Sequence, residues 1–274
     1  MQHHQNLIPL NDGALSVSVY EPISPRLTLL CVHGWTLDAR SFSGQHVLAE
    51  RGVRVVTFDR RGFGVNELTP GLDQELEDID HLLHHLPGPI YAFGVSQGAR
   101  LLLRYAARPS ATLRGLIVQG GLVDGLPSEQ NEIPYGRYAS LLEAGDYEAF
   151  AREWLAHPLM RSGVPASKLS AVADLIRGYE GRDLRGSTPR LVDQDLSGVL
   201  PQVFSAEGLS LWVIEAEQES ETRRAHARFL IEDCGARGVP MPGGHLCHFT
   251  HPDVFNERLL TALGVLGHGT NCGE

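Results

Sequence analysis

PIYAFGVSQGARLLLRYA (residues 89–106) places a serine between two glycines where a strand pattern gives way to a helix pattern. The run before Ser96 is rich in β-branched and aromatic residues and predicts a buried strand, and the run after it predicts a helix. Small residues at Gly94 and Gly98 would let strand and helix lie close together. The serine hydroxyl would then project above the sheet, whereas a simple helix cap would not require both glycines.

Strand and helix patterns alternate on both sides of this corner. LTLLCVHGW, RVVTFDR and LRGLIVQGG predict buried strands, and the alternation resumes at Leu209 with LSLWVIEAE. Such alternation is typical of a mostly parallel sheet with helices on both faces, so the sequence predicts an α/β fold. The other predicted elements are helices in DARSFSGQHVLAERG, LDQELEDIDHLLHHL, SETRRAHARFLIEDCG and HPDVFNERLLTALGVL, and a short strand in RGVPMPGG.

Strand patterns disappear after Asp124. GRYASLLEAG, DYEAFAREWLAHPLM and ASKLSAVADLIRGYE predict helices instead. We therefore divide the chain into a core formed by residues 1–124 and 207–274, and a helical lid formed by residues 125–206. The tail GHGTNCGE carries no pattern and is expected to fray.

Composition excludes several classes of function. Of the 274 residues, 42% are hydrophobic and 20% are charged, as in ordinary globular chains, and the net charge is -10. An acidic chain is a poor match for nucleic acid, so we expect a small neutral substrate. There is no bilayer-length apolar stretch or secretion signal, which predicts a cytoplasmic protein without a membrane partner. The cysteines lack C-x-x-C spacing and are expected to be reduced thiols: Cys31, Cys234, Cys247 and Cys272.

Four stretches together resemble the α/β-hydrolase family. They are LLCVHGWTLDARSF, VVTFDRRGFG, GVSQGA and PGGHLCHFTHPDVFNERL. In that family the motifs occur in a fixed order: an HG pair after a strand, then D-x-R-G-x-G, then the G-x-S-x-G corner. A GH pair follows late in the chain, with a proline seven residues after its histidine, which here is Pro252. The resemblance implies the α/β-hydrolase fold, with a mostly parallel eight-stranded sheet and a helical lid.

The resemblance also implies a catalytic set. Ser96 would be the nucleophile and His245, in GGH, the general base, because a serine hydroxyl reacts poorly until a base takes its proton. The backbone N–H groups of Gln97 and Trp35 would form the oxyanion hole. His33 would orient the turn rather than take part in the reaction.

The acid that orients the histidine has two candidates. The family has an Asp three residues after a glycine that follows the strand; here Ala216 stands at the glycine and Glu219 at the acid. Glu219 is favoured, since a carboxylate of either length can fix the imidazole tautomer. Glu215 and Glu217 lie in the same stretch and are expected to face solvent. Asp124, after the preceding strand, is the alternative acid.

Other patterns do not indicate a metal or a cofactor. HLCHFTH contains His245, Cys247, His248 and His251, but zinc sites usually add a second, distant ligand pair, and none is evident. Cys247 lacks a strand-to-helix corner and is expected to pack in the interior. FDRRGFG lacks the third glycine of a dinucleotide fingerprint, and the chain has no phosphate-binding G-x-x-x-x-G-K-[ST]. We predict no metal and no cofactor.

The aromatic residues of the lid suggest a pocket for substrate. Trp154 and Tyr138 are the candidates to line it, which would favour a substrate with an apolar body. Resemblance to carboxylesterases and enol-lactonases implies a serine hydrolase that acts on a small ester or lactone. Two alternatives stay open: a lyase or carbon–carbon hydrolase like the menaquinone-pathway synthase, and a non-catalytic receptor for a small molecule.

Overall fold

The computed structural model describes residues 1–108, 111–129, 132–185, 194–205 and 208–265. Within them, eight strands form one sheet with helices on both faces, so the predicted α/β-hydrolase architecture is confirmed. The strands are β1 (Gln2–Leu10), β2 (Gly13–Glu21), β3 (Leu27–Val32), β4 (Val53–Phe58), β5 (Ile90–Val95), β6 (Gly115–Gln119), β7 (Ser210–Ala216) and β8 (Arg237–Met241). Their order across the sheet is β1-β2-β4-β3-β5-β6-β7-β8.

The six strands from β3 to β8 pair in parallel, and β8 forms the edge of the sheet opposite the one formed by β1. Every residue of β3 is buried, because helices cover both of its faces. Leu29 and Cys31 contribute to the core on one face, and Leu30 and Val32 to the core on the other. This two-sided burial explains why the strand is a continuous apolar run.

An antiparallel hairpin, which the sequence analysis did not predict, forms one edge of the sheet. Strands β1 and β2 pair from Leu10 opposite Gly13, and β2 then pairs antiparallel with β4. Leu15, Val17 and Val19 are buried, and the residues between them are more exposed. This alternation is the usual sign of a half-buried strand and could have been read from the sequence.

Helices α1 (Leu72–His85), α2 (Gln97–Ala106) and α8 (Glu221–Glu232) pack on one face of the sheet. The segment Ala39–Arg51 and helix α10 (Pro252–Ala262) pack on the other. The first of these two segments was predicted as a helix and is a succession of 3₁₀ turns. Between β8 and α10 a single turn of helix, α9 (Cys247–Thr250), was not predicted.

The helices predicted between β6 and β7 are present. Most of this helical insertion lies against the core on one face of the sheet, because Phe150 and Trp154 belong to one buried cluster with strand residues. Leu200, near its end, belongs to the cluster on the other face. Its helices are α3 (Tyr135–Glu143), α4 (Tyr147–Ala156), α5 (Pro158–Arg161), α6 (Leu169–Arg177) and α7 (Leu200–Ser205). The division into a core and a lid at residues 125–206 remains a prediction.

Cys31, Cys234 and Cys247 are buried and unbridged, and Cys272 lies, like the rest of the predicted tail, outside the described residues. Burial raises the pKa of the Cys234 thiol to about 12, so this group is protonated at neutral pH. None of the helices in the described parts of the chain is long and apolar enough to cross a membrane.

Candidate active site

Ser96 stands at the corner between β5 and α2 with φ 55° and ψ -114°. Among the described residues, only Ser96 and Thr36 combine a side chain with a positive φ. Such a backbone conformation costs about 1–3 kcal/mol and persists only where its surroundings hold it. Here the Ser96 N–H donates to the carbonyl oxygen of Gln119 at 2.7 Å, which fixes the corner to β6.

The two flanking glycines are required by close packing. A Cβ on Gly94 would lie 2.6 Å from the Cα of Ala99, and a Cβ on Gly98 would lie 2.2 Å from the carbonyl oxygen of Val32. Both distances are shorter than any side chain tolerates. The glycine spacing in the sequence therefore reports how closely α2 approaches the sheet.

His245 and Glu219 form a buried pair. His245 lies in the loop after β8, Glu219 lies in the loop after β7, and His245 Nδ1 is 2.7 Å from Glu219 Oε2. Their side chains are 3% and 6% exposed. The other oxygen of Glu219 accepts a hydrogen bond from the Ser220 N–H at 3.0 Å. With Nδ1–H donating to the carboxylate, Nε2 is the ring nitrogen left to accept a proton.

The charge of Glu219 is maintained despite its burial. Burial by itself raises the pKa of this carboxyl, but the His245 ring and the Arg223 guanidinium outweigh it, so the pKa lies below its usual value. Gly120 leaves room for the pair because it has no side chain. Its backbone has φ 58°, and a Cβ at this position would lie 2.5 Å from His245 Nδ1.

Asp124, the alternative acid, is held elsewhere. Its two carboxylate oxygens accept hydrogen bonds from Arg100 and Arg104, both on α2. The carboxylate is 1% exposed. Of the two acids that the sequence left open, Glu219 is the one that contacts His245.

Ser96 and His245 line the same cavity. Its volume is about 50 Å³, which is space for only a few water molecules. Trp154 lines it, whereas Tyr138 lies behind, with its ring against Trp35 and Trp154. The other lining residues are Trp35, Leu37, Gln97, Arg100, Leu122, Ile133, Tyr135, Leu159, Met160 and Arg223.

The predicted oxyanion-hole residues flank the serine. Trp35 and Gln97 line the cavity, and a Cβ on the adjacent Gly34 would lie 3.1 Å from the Ser96 Cβ. Gln97 begins α2, where unpaired backbone N–H groups favour negative charge. His33 orients this loop: its Nε2 accepts from the Arg60 N–H at 3.0 Å, and burial holds its pKa well below the usual value.

Two groups of contacts at the site were not anticipated from the sequence. Trp35 Nε1 donates to Tyr179 Oη at 2.9 Å and to Asp183 Oδ2 at 3.0 Å, so the insertion holds the Trp35 ring. Arg223 on α8 is buried beside Ser96, with Nη1 3.4 Å from Ser96 Oγ. Arg223 follows Glu219 by four residues, and this spacing is the signal that could have suggested Arg223 as a residue of the site.

The histidine-rich segment does not converge on one point. His248 Nδ1 lies 2.9 Å from Gln119 Nε2, and His251 Nδ1 lies 2.9 Å from Thr250 Oγ1. Cys247 is buried, and burial raises its thiol pKa. Searched over the described ranges, the structure has no cluster of three or more His, Cys, Asp or Glu residues placed to hold a metal ion.

Several solved structures share this fold. An esterase from Exiguobacterium antarcticum is 18% identical, with 95% of this chain and 99% of that one covered and a TM-score of 0.76. The enol-lactonase from Burkholderia xenovorans is 16% identical, with 94% and 99% covered and a TM-score of 0.72. MenH from S. aureus is 20% identical, with 90% and 97% covered and a TM-score of 0.71.

Curated relatives match shorter stretches. The alanine–tRNA ligase of Deinococcus radiodurans is 30% identical over 185 residues, which are 63% of this chain and 20% of that protein. The chain covers between 12% and 39% of the length of the first curated relatives that it matches. The sequence model of the alpha/beta hydrolase family, in contrast, matches residues 29–258. With the fold and the strand-to-helix serine corner described above, this match shows that the chain belongs to the alpha/beta hydrolase family.

Proposed function

We propose that this chain is a serine hydrolase that cleaves a small carboxylic ester or lactone through an acyl-enzyme. The observation that carries the proposal is the buried contact of 2.7 Å between His245 Nδ1 and Glu219 Oε2, next to a cavity that His245 shares with Ser96. A buried carboxylate on one ring nitrogen leaves the other as a base, which a serine nucleophile requires.

The reaction would begin with attack of Ser96 Oγ on the substrate carbonyl while His245 Nε2 takes the hydroxyl proton. Glu219 stabilises the imidazolium that forms, and its lowered pKa keeps it ionised. His245 then returns the proton to the leaving oxygen, which produces the acyl-enzyme. Water, activated by the same histidine, attacks this ester and releases the acid.

The negative charge that develops on the carbonyl oxygen would be stabilised by the backbone N–H groups of Trp35 and Gln97. Both residues line the cavity beside Ser96, and Gln97 lies at the N-terminus of a ten-residue helix. One such donor contributes roughly 100- to 1,000-fold in kcat. The apolar part of the wall, which includes Leu37 and Trp154, fits a substrate with an apolar body.

The proposal is tested by assaying aryl esters and lactones of graded acyl length with the wild type and Ser96→Ala. We expect the substitution to lower kcat by at least about a thousandfold. Ser43→Ala is the control, since Ser43 is exposed, and its turnover should equal that of the wild type. Wild-type turnover by Ser96→Ala would contradict the proposal.

A further inference from the structure

Arg223 brings a buried positive charge to the wall of the active-site cavity. It lies in the first turn of α8, and its side chain is only 3% exposed. Nη1 lies 3.4 Å from Ser96 Oγ and also donates to the carbonyl oxygen of Gly120. A charged group this close to the nucleophile must face some part of any substrate bound there.

The donors of this guanidinium are not all used. Nη2 donates to Glu132 Oε2 at 3.0 Å, whereas Nε is buried and has no hydrogen-bond acceptor among the residues that the structure describes. Nε and Nη2 form the edge of an arginine that pairs with the two oxygens of a carboxylate. Glu132 contacts that edge through one oxygen only, because its other oxygen accepts from Ser220 Oγ at 2.6 Å.

Arg223 also borders two cavities. It lines the cavity of about 50 Å³ at Ser96 and a neighbouring cavity of about 490 Å³. Tyr135 and Ile133 line both cavities as well, and Glu132 lines the second. A substrate arm that runs from Ser96 into the second cavity would therefore pass the guanidinium.

The wall near the serine thus carries an arginine, beside the polar Gln97 and apolar side chains such as Leu37 and Met160. Arg100, which is paired with Asp124, also lines the cavity at Ser96. In a site closed to water, a cation attracts an anionic group far more strongly than it does on the surface. The acidic net charge, which led us to expect a neutral substrate, is a property of the whole chain and does not describe this wall.

We propose that the substrate carries a carboxylate near its scissile carbonyl, and that Arg223 binds this group through its Nε and Nη2 edge. Glu132 holds the guanidinium in the free enzyme and competes with the substrate for it. This inference rests on the proposed function, because Ser96 defines where the scissile carbonyl lies.

The test compares the nitrophenyl half-ester of glutarate with its methyl-capped diester, in which a neutral methyl ester replaces the negatively charged carboxylate. We expect the wild-type kcat/KM for the half-ester to exceed that for the diester by at least tenfold, and Arg223→Met to bring the ratio close to one. Arg224→Met is the matched control: Arg224 is 46% exposed and pairs with Glu221, so its ratio should stay at the wild-type value. Glu132→Gln removes the competitor and should raise the ratio.

A binding measurement separates this inference from the proposed function. Ser96→Ala is titrated calorimetrically with the same two esters, with and without Arg223→Met. If the half-ester binds more tightly than the diester, and Arg223→Met abolishes this preference, the inference is supported. Failure of the wild type to hydrolyse either ester would contradict the proposed function but not the inference. Equal binding of both esters to Ser96→Ala, or a preference that survives Arg223→Met, overturns it. If Arg223→Met does not fold, Glu132→Gln decides, since an unchanged preference in that variant overturns the inference.

Discussion

Trp154 Nε1 donates a hydrogen bond to Thr36 Oγ1 at 2.8 Å, which ties helix α4 of the insertion to the loop that carries Trp35. Thr36 has φ 63°, an unfavourable value for a β-branched residue. The adjacent Trp35 ring is held by Tyr179 at 2.9 Å. The insertion therefore fixes the loop from which we propose that one oxyanion-hole N–H comes.

Replacing Trp154 with Phe should lower kcat by about fivefold and change KM less. The substitution keeps a six-membered aromatic ring but removes the indole N–H and with it one buried hydrogen bond, which contributes about 1 kcal/mol. Steady-state kinetics on an aryl ester measure the effect. Trp212→Phe is the control, because Trp212 is buried in β7 and does not line the cavity. Equal kcat values for both variants would show that the contact with Thr36 has no part in turnover.

We expect Glu219 to be needed for catalysis and Asp124 to be needed for stability. Glu219→Gln is expected to reduce kcat by about 100- to 10,000-fold, because the amide no longer stabilises the imidazolium. Asp124→Asn removes a buried carboxylate between two guanidinium groups and should cost about 3–5 kcal/mol of unfolding free energy, with a smaller effect on kcat. Rates and urea denaturation of both variants check this, and a larger loss of kcat in Asp124→Asn would reverse the assignment.

Gly120→Ala should impair catalysis more than its backbone strain explains. A Cβ there would lie 2.5 Å from His245 Nδ1, and the residue has φ 58°. Gly88→Ala is the matched control, since Gly88 has φ 81° and open space around it. Backbone strain should cost each variant about 1–2 kcal/mol of unfolding free energy, and Gly120→Ala should lose more because of the clash with His245. Only Gly120→Ala should lose kcat, by at least tenfold. Similar kcat values in the two variants would show that turnover does not depend on the space that Gly120 leaves beside His245.

His248 should make the protein less stable in mild acid. Burial, and secondly the charge of His245, lower the pKa of His248 from 6.5 to about 3, among the rings of Phe42, Phe93 and Phe255. Below pH 6.5 the His248 side chain binds a proton in the unfolded chain but stays neutral in the folded protein. The unfolding free energy therefore falls as the pH decreases toward 3.

The expected loss from this group is about 2 kcal/mol between pH 7 and pH 5, at about 1.4 kcal/mol per pH unit. Urea denaturation at pH 7, 6 and 5 measures it. His248→Gln removes the titrating group and should show a correspondingly shallower dependence on pH. Parallel curves for the wild type and the variant would be inconsistent with a neutral, buried His248.

The corner at Ser96 could be predicted from the sequence, because its geometry depends on residues that are close together along the chain. The glycines around Ser96 are required by the approach of α2 to the sheet, so the G-x-S-x-G spacing already carries that geometry. The position of His245 followed from the resemblance of the GGH stretch, with the proline after it, to the α/β-hydrolase family. The sequence favours Glu219 over Asp124 as the acid, but which carboxylate contacts His245 depends on tertiary contacts that the sequence does not express.

Other features depend on packing that sequence patterns do not express. Arg223 and Arg224 are adjacent, yet one is buried beside Ser96 and the other is exposed, because the orientation of α8 decides which faces the cavity. The contact between Trp35 and Tyr179 joins residues 144 positions apart. Tyr138, predicted for the pocket, lies behind the lining aromatic residues; its part in substrate binding remains a prediction.

The most direct test of the central claim is the mass of the protein itself during turnover. The wild type is mixed with excess aryl ester, quenched within the burst, and analysed by intact-mass and peptide mass spectrometry. We expect one acyl group per chain, attached to Ser96, and none in Ser96→Ala. Rapid turnover with no acyl adduct on Ser96, or an adduct on another residue, would contradict the proposed mechanism.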